Sequence, residues 1–269
     1  MLRYNHRILE RKWRIIYREH HNSLENPKRA CAFLIPKEQV NLENARLLVL
    51  TDVFAASFWK DNYRVILMDG NYSCRGDLER LGVFATTVSP QDNVHFDFAV
   101  VSRDFRQHLQ HQSEAEVFSC GRFLQGMGVE ELVPDFGGDA LRVYFLFMGP
   151  PERDYTFDWQ ALVGAYRFVE KVWRLGQEFN GETPPEQGTM ERLSDLTNVV
   201  RNRLLSKNPH TALAAIMGFL KDKKSLNIWE LTALVDILRP FTPFLSAELA
   251  DLVATIKDDN GRECDQTDS

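Results

Sequence analysis

The first twenty residues place apolar and basic side chains with the period of an α-helix. Residues 4–20 are therefore predicted to form an amphipathic helix with one apolar and one basic face. The basic face would be either a solvated surface or a surface that meets RNA, and the sequence leaves both open. The apolar face is predicted to contain Ile8, Leu9, Trp13, Ile16 and Tyr17.

Short apolar runs alternate with helical patterns between residues 30 and 157, which is typical of α/β folds. A helical pattern over residues 42–60 separates the first two runs, so a β-α-β unit with a right-handed crossover is expected there. Asp139–Phe147 has the pattern of the start of another helix. The runs with the length of a buried strand are Ala30–Ile35, Tyr63–Met68, Val83–Val88 and Phe96–Val101.

Beyond residue 157 the spacing of apolar residues is helical throughout, and a loop is predicted at Thr183–Gln187. Four helical patterns with short connections favour an antiparallel bundle. The last pattern runs from about Leu226 to Ile256, with a kink or break expected at Pro240 and Pro243. The predicted organisation is thus an α/β domain over 1–157, a helical domain over 158–256 and a disordered acidic tail over 257–269.

Composition suits a globular protein of the cytoplasm. Apolar residues make up 44% and charged residues 26% of the 269 residues, and no apolar run reaches membrane-spanning length. The basic N-terminus lacks the apolar stretch of a secretory signal. The net charge of −6 does not indicate nucleic-acid binding. Residues 1–30, however, hold eight Lys or Arg and three Glu, a local balance of about +5.

The chain contains no pattern that predicts a metal site or a disulfide framework. No two cysteines form a C-x-x-C pair, so reduced thiols are expected. His108 and His111 have H-x-x-H spacing, but no third ligand is evident, and we expect no metal. The cysteines are Cys31, Cys74, Cys120 and Cys264.

One long segment, Phe136–Leu175, resembles the junction between the catalytic and anticodon-binding domains of leucyl-tRNA synthetases. It reads FGGDALRVYFLFMGPPERDYTFDWQALVGAYRFVEKVWRL. Leu238–Leu249 (LRPFTPFLSAEL) and residues 4–17 (YNHRILERKWRIIY) extend the likeness. The resemblance implies a Rossmann-like parallel-sheet domain of the class I synthetase type, followed by a helical bundle like the anticodon-binding domain.

The first catalytic signature of that family is altered. Phe33–Ile66 aligns with the family's nucleotide-binding loop and following helix, and the resemblance assigns Pro36 to that loop. Asn41-Leu42-Glu43-Asn44 stands where the family has His-x-Gly-His. The histidines stabilise the phosphate during adenylate formation, whereas asparagine cannot carry a positive charge. The turn is therefore either a plain helix cap or a relic nucleotide pocket formed by Asn41, Glu43 and Asn44.

The second signature, Lys-Met-Ser-Lys-Ser, has its best counterpart at residues 122–126. Arg122 keeps one positive charge there, and Gln125 replaces the key second lysine. A plain surface loop is the alternative. Arg167 and Arg174 lie on the polar face of a predicted helix and could meet tRNA phosphates or form surface ion pairs. The family's editing domain and zinc-bearing insert have no room in 269 residues.

Three functions are compatible with this pattern. The first is a non-catalytic protein that binds tRNA, a nucleotide or a protein partner on the synthetase scaffold. The second is a transferase or ligase with altered chemistry in a specialised pathway, which would use ATP or an aminoacyl group. The third is a decaying gene product or a fragment that works only with another subunit. ATP is the candidate cofactor, an amino acid or adenylate the candidate small ligand, and no membrane is expected.

Overall fold

The computed structural model describes residues 3–33, 41–68, 75–88, 95–104, 106, 115–124, 128–178 and 187–266. This part of the chain contains ten helices and five strands. They are α1 His6–Ser23, β1 Lys28–Phe33, α2 Leu42–Trp59, β2 Tyr63–Met68, α3 Arg75–Arg80, β3 Ala85–Val88, β4 Phe98–Ser102, β5 Glu116–Cys120, α4 Val129–Phe136, α5 Gly138–Phe147, α6 Trp159–Gln177, α7 Gln187–Leu205, α8 Pro209–Leu220, α9 Ile228–Leu238 and α10 Pro243–Gln266.

The five strands form one parallel sheet in the order β3-β2-β1-β4-β5. Ala30 in β1 is paired with Val65 on one side and with Phe98 on the other. The chain first builds outward from β1 through β2 and β3, and then returns to add β4 and β5 on the opposite side. The order therefore reverses between β1 and β4, which is the switch point where Rossmann-like sheets form a ligand crevice.

The predicted strands are found, and a fifth strand was missed. Tyr63–Met68 has the predicted bounds, whereas β3 begins at Ala85 because the amide of Val83 donates back to the carbonyl of Leu78 at 3.2 Å. The missed strand β5 is a half-exposed edge strand whose continuous apolar run is only Val117 and Phe118, too short for a buried-strand pattern. The sequence analysis also missed α3 and α4.

Helix α2 is the centre of the fold. Every residue from Leu42 to Ala55 is buried, because the sheet covers one side of the helix and α5 and α7 cover the other. A helix that is apolar nearly all round can only be stable in such an interior position. Its two ends therefore reach two opposite surfaces of the molecule.

The region after residue 158 contains five helices, because the last helical pattern divides into α9 and α10. The break lies at Pro240–Pro243, as the prolines predicted. One continuous apolar core extends from Tyr4 to Val253 and joins the sheet to these helices.

The domain boundary at 157/158 stays a prediction. The helical backbone of α10 reaches Gln266, and the disordered tail over 257–269 also stays a prediction. No described helix is long and apolar enough to cross a membrane.

Helix α1 forms as predicted, and its buried face agrees with the prediction in part. Leu9 is buried and Trp13 and Tyr17 are half-buried, but Ile8 is 63% and Ile16 46% exposed, and the remaining buried residues are His6 and Glu10. The reason is that α1 packs against α10 and the start of α5, and these elements select the buried face. Lys12 forms ion pairs with Glu248 and Asp251 of α10, both at 2.8 Å.

A buried arginine joins four elements. The guanidinium of Arg142 in α5 donates to the carboxylate of Asp52 in α2 at 2.7 Å and to the carbonyl of Leu81 at 3.0 Å. It also donates to the carbonyl of Pro240 in the α9–α10 turn. Tyr63 of β2 donates to the second oxygen of Asp52 at 2.8 Å. The buried charge is thus balanced and its donors are satisfied.

Two buried carboxylates accept hydrogen bonds from backbone amides at helix N-termini. Glu10 accepts from the amide of Gly138 at the start of α5, at 2.7 Å. Asp139 accepts from the amide of Leu245 at 2.7 Å in the first turn of α10. Burial raises the pKa of each carboxyl to about 7. Gly137, which precedes α5, has a φ of 78°, a conformation that glycine adopts without strain.

The raised pKa of Glu10 predicts a stability that falls as pH rises. Because the folded state holds this proton up to about pH 7 and the unfolded state only to about 4.5, the stabilisation is complete below pH 4.5 and lost as pH rises through 7. Glu10→Gln keeps an oxygen acceptor without the charge. We expect this variant to match the native chain at pH 4.5 and exceed its free energy of unfolding by roughly 1–3 kcal/mol at pH 8.

Denaturant titrations at the two pH values measure this difference. Glu19→Gln, on the exposed part of the same helix, is the matched control and should change the unfolding free energy equally at both pH values. A difference between Glu10→Gln and the native chain that does not vary with pH would contradict the assignment.

Candidate functional site

The candidate site is the crevice at the carboxyl ends of β1, β4 and β5. Parallel strands end at the same edge of a sheet, and ligands of such sheets bind outside that edge at the switch point. Helix α2 begins at this edge with Leu42, and β4 ends there with Ser102. The N-terminus of a helix offers unpaired backbone N–H groups and a partial positive charge, both of which favour an anion.

Asn41 caps α2 at this edge. Its side-chain oxygen accepts from the amide of Asn44 at 2.9 Å, which satisfies one of the free N–H groups of the helix. The backbone of Asn41 also pairs with Gly128, just before α4. Asn41 and Asn44 are both buried, so the turn is held by its own hydrogen bond and by the start of α4.

The first turn of α2 carries a buried acidic group. The side chain of Glu43 is buried, and the hydroxyl of Ser102 at the end of β4 donates to its carboxylate at 3.3 Å. This hydrogen bond joins α2 to β4 across the switch point. The carboxylate also puts a negative charge beside the helix N-terminus, where it offsets the partial positive charge of the helix.

Arg46 holds the end of β5 against the segment that follows α5. Its guanidinium is fully buried and donates to the carbonyls of Gly121 at 3.2 Å and Pro151 at 2.9 Å. It also lies 4.8 Å from the centre of the Tyr155 ring, within the range of a cation–π interaction. Gly121 has no room for a side chain, because a Cβ there would lie 2.2 Å from the carbonyl oxygen of Arg153.

Arg122 is engaged in an ion pair. Its backbone amide and its guanidinium each donate to the carboxylate of Asp154 at 2.8 Å. The hydrogen bond from the Arg122 side chain is the main cause that lowers the pKa of Asp154. Arg103 lies 3.6 Å from the same carboxylate. The positive charge of Arg122, which the sequence analysis proposed for phosphate binding, is thus already paired with the carboxylate of Asp154.

The thiol of Cys120, next to this group, is buried. Burial raises its pKa to about 11, and the nearby Arg46 only partly offsets the effect. Cys120 donates to the carbonyl of Pro151 at 3.3 Å. A thiol with a raised pKa is a poor nucleophile, so its place in the crevice is structural.

Comparison with known proteins supports the family that the motifs indicated. No family model matches the chain. It is 29% identical over 133 residues to the leucine–tRNA ligase of Borreliella burgdorferi (strain ZS7). It is 30% identical over 128 residues to that of Borreliella afzelii. The alignments cover 47% and 45% of this chain. The chain is a class I aminoacyl-tRNA synthetase-like protein.

The match to the leucine enzymes is partial in length. It spans about 16% of the Borreliella burgdorferi ligase and 15% of the Borreliella afzelii ligase. Homology therefore identifies the family of the synthetase-like chain without carrying over the activity of a whole ligase.

Two solved structures are also similar. One is a leucyl-tRNA synthetase of Agrobacterium radiobacter K84 in complex with tRNA and LeuAMS, with a TM-score of 0.47, 18% identity and coverage of 58% of this chain and 27% of that one. The other is apo methionyl-tRNA synthetase of Mycobacterium tuberculosis, with a TM-score of 0.46, 14% identity and coverage of 58% and 43%.

Four of the residues that the sequence analysis proposed for the site lie together at one edge of the sheet. They are Asn41, Glu43, Asn44 and Arg122, and Glu43 acts electrostatically on Arg122. Arg46 was missed, although a lone arginine inside the apolar run that follows Asn44 was the available signal. Pro36 and Gln125, like His108 and His111, lie outside the described residues.

Arg167 and Arg174 lie away from the crevice, on the exposed face of α6. Among the aromatic residues of this helix, Phe168 and Trp173 are buried, whereas Trp159 is 51% exposed. Trp159 is the first residue of the helix, and its ring contacts those of Phe136 and Phe157. Within the described part of the chain, no group of three or more His, Cys, Asp and Glu side chains could hold a metal ion.

The buried position of Arg46 predicts a large effect of its removal. Arg46→Met should lower the free energy of unfolding by roughly 1–3 kcal/mol, because the buried carbonyl of Gly121 loses its side-chain donor, the carbonyl of Pro151 loses one of three donors, and the cation–π interaction with Tyr155 disappears. Amide hydrogen exchange should speed up at Gly121, whose amide donates to Pro151 at 2.9 Å. Arg11→Met on the exposed face of α1 is the control, and an equal effect of both variants would refute the bridging role.

Proposed function

We propose that this protein binds an adenosine-containing ligand in the crevice without forming an aminoacyl-adenylate. ATP, an aminoacyl-adenylate and the 3′ end of a tRNA share the adenosine group. The proposal rests on the structure of the first turn of α2. There, Asn41 caps the helix and the carboxylate of Glu43 is buried beside Ser102.

The charge at this turn argues against adenylate formation. That reaction builds negative charge on the α-phosphate, which must be stabilised by cations or by well-placed hydrogen-bond donors. The resemblance to leucyl-tRNA synthetases implies that Asn41 and Asn44 stand where that family has histidines. The oxygen of Asn41 is used by the cap, and Glu43 adds a negative charge that would repel a triphosphate. The pairing of Arg122 with Asp154 removes a second candidate for phosphate stabilisation.

The scaffold around this turn supports retained binding. The parallel sheet, its switch point and the helix beginning at its carboxyl edge together make the usual place for a nucleotide. A neutral adenosine group requires shape and hydrogen bonds more than positive charge. The altered turn can thus exclude the reaction while still accepting part of the ligand.

The proposal includes tRNA as the macromolecular partner. The similar enzymes are named as leucine–tRNA ligases, and Arg167 and Arg174 form an exposed pair two turns apart on α6. No ion pair with a described residue occupies either guanidinium, so both can meet phosphates. An anticodon-binding role for the helical region and a cytoplasmic location are parts of the same proposal.

The absence of adenylate formation is the first expected outcome. Purified protein should show no amino acid-dependent exchange of pyrophosphate into ATP with leucine or any other standard amino acid. Adenosine should bind more tightly than ATP in calorimetry, because only ATP meets the charge of Glu43. Glu43→Gln should raise the affinity for ATP several-fold, on the order of 1 kcal/mol, and leave adenosine binding unchanged.

Two results would argue against this role of the crevice. Exchange with any amino acid would favour the enzyme with altered chemistry, and an unchanged ATP affinity in Glu43→Gln would remove the electrostatic argument. Glu19→Gln is the matched control on exposed surface and should affect neither ligand.

A gel-retardation titration with tRNA at several salt concentrations tests the second surface. We expect binding whose logarithm falls linearly with the logarithm of salt concentration. Arg167→Ala with Arg174→Ala should weaken it and reduce the magnitude of the slope by about two, because two phosphates would no longer be neutralised. Arg192→Ala, on the exposed surface of α7, is the control. An unchanged slope in the double variant would exclude this face of α6.

A further inference from the structure

A second cavity lies at the edge of the sheet opposite the crevice. It has a volume of about 710 Å³ and opens between the last turns of α1 and α2 and the facing sides of α7 and α9. Tyr63, the first residue of β2, lies in its wall, so the cavity is at the amino ends of the strands. Its volume falls within the roughly 300–1,000 Å³ of small-molecule sites. We call it the amino-edge cavity.

One wall of the amino-edge cavity is aromatic. Tyr17 and His21 of α1 approach Phe84 with ring centres 5.9 Å and 6.3 Å away. The planes of Tyr17 and Phe84 are inclined by only 30°. All three rings are half-buried, so each is packed into the protein on one side and reachable from the cavity on another. Ring faces of this kind bind planar groups by stacking, with little dependence on their identity.

The lining of the cavity also carries positive charge that has no ion pair within the described part of the chain. Lys60 at the end of α2 and Arg201 of α7 both line the cavity, and neither forms an ion pair with a described residue. By contrast, Arg239 is paired with Asp61 at 3.1 Å. Asp52 is held by Arg142 and Tyr63.

The remaining acidic group in the lining is Asp236. Lys60 and Arg201 thus outnumber the one carboxylate left without a described ion pair. A basic residue at the C-terminal end of a helix is favoured by the helix dipole, and this accounts for a lysine at position 60. The helix dipole does not account for Arg201, which lies inside α7 and still lines the cavity.

We propose that the amino-edge cavity binds a small molecule that combines a planar ring with an anionic group. The ring would stack on Tyr17 and Phe84, and the anion would lie between Lys60 and Arg201. A nucleoside monophosphate and an aromatic carboxylate both have this chemistry. The site is separate from the crevice, because the two lie at opposite ends of α2.

Four compounds in two pairs test the proposal and distinguish the sources. Phenyl phosphate is compared with phenol, and indole-3-acetate with indole, in calorimetric titrations of the full chain at millimolar ligand; none of the four contains the adenosine group proposed for the crevice. At least one anionic compound should bind at least about tenfold more tightly than its uncharged partner. The pair that shows the difference tells whether the anion is a phosphate or a carboxylate.

Paired variants place the binding in the amino-edge cavity. Lys60 has a φ of 55°, so Lys60→Gly removes the charge and relieves the backbone. Combined with Arg201→Ala it should weaken the anionic compound at least about tenfold and leave its uncharged partner unchanged. Lys207→Gly with Arg192→Ala is the matched control, because Lys207 has a φ of 60° and neither residue lines the cavity.

The outcomes separate this site from the crevice. Weakening by the cavity variant but not by its control supports the proposal, and Glu43→Gln should leave this binding unchanged. No binding of either anionic compound, equal binding of charged and uncharged partners, or equal effects of cavity and control variants would each overturn it. None of these results bears on ATP and adenosine binding in the crevice, which Glu43→Gln tests by itself.

Discussion

The fold depends on one buried cation. Arg142 is wholly inside the protein, and its guanidinium is satisfied only when α2, the turn before β3 and the α9–α10 turn all present their oxygens to it. Removing one partner would leave a buried charge unpaired, which commonly costs several kcal/mol. The sheet and the later helices are therefore fixed in one relative arrangement, and the apolar core is continuous across them.

This arrangement gives α2 two ends with different chemistry, a buried one at the crevice and one that lines the amino-edge cavity. Asn41 and Glu43 make the crevice end polar and acidic, while Lys60 makes the other end basic. Both ends are held by partners elsewhere in the chain: Ser102 and Gly128 at the crevice, and the helices α7 and α9 at the amino-edge cavity. A buried helix with two such ends is suited to present two separate binding surfaces.

The crevice is held by hydrogen bonds from three of its elements. Asn41 closes the hydrogen bond that a helix N-terminus needs, and Arg46 fixes the end of β5 through two carbonyls. Arg122 and Asp154 neutralise one another at its rim. The ion pair of Arg122 occupies a cation that phosphate chemistry would need, and this underlies the proposal of binding without adenylation.

The sequence by itself indicated the likeness to class I synthetases, the parallel α/β start and the helical remainder, because apolar periodicity and long motifs are local properties of the chain. It also singled out Asn41, Glu43 and Arg122, whose role as a site stays a prediction. Tertiary structure alone decided which face of α1 is buried, that the edge strand β5 exists, and that Arg122 is paired with Asp154. It also decided the place of Arg46 and the cavity beyond Lys60. These features arise from interactions between residues that are far apart in the chain, and patterns of neighbouring residues do not reveal such interactions.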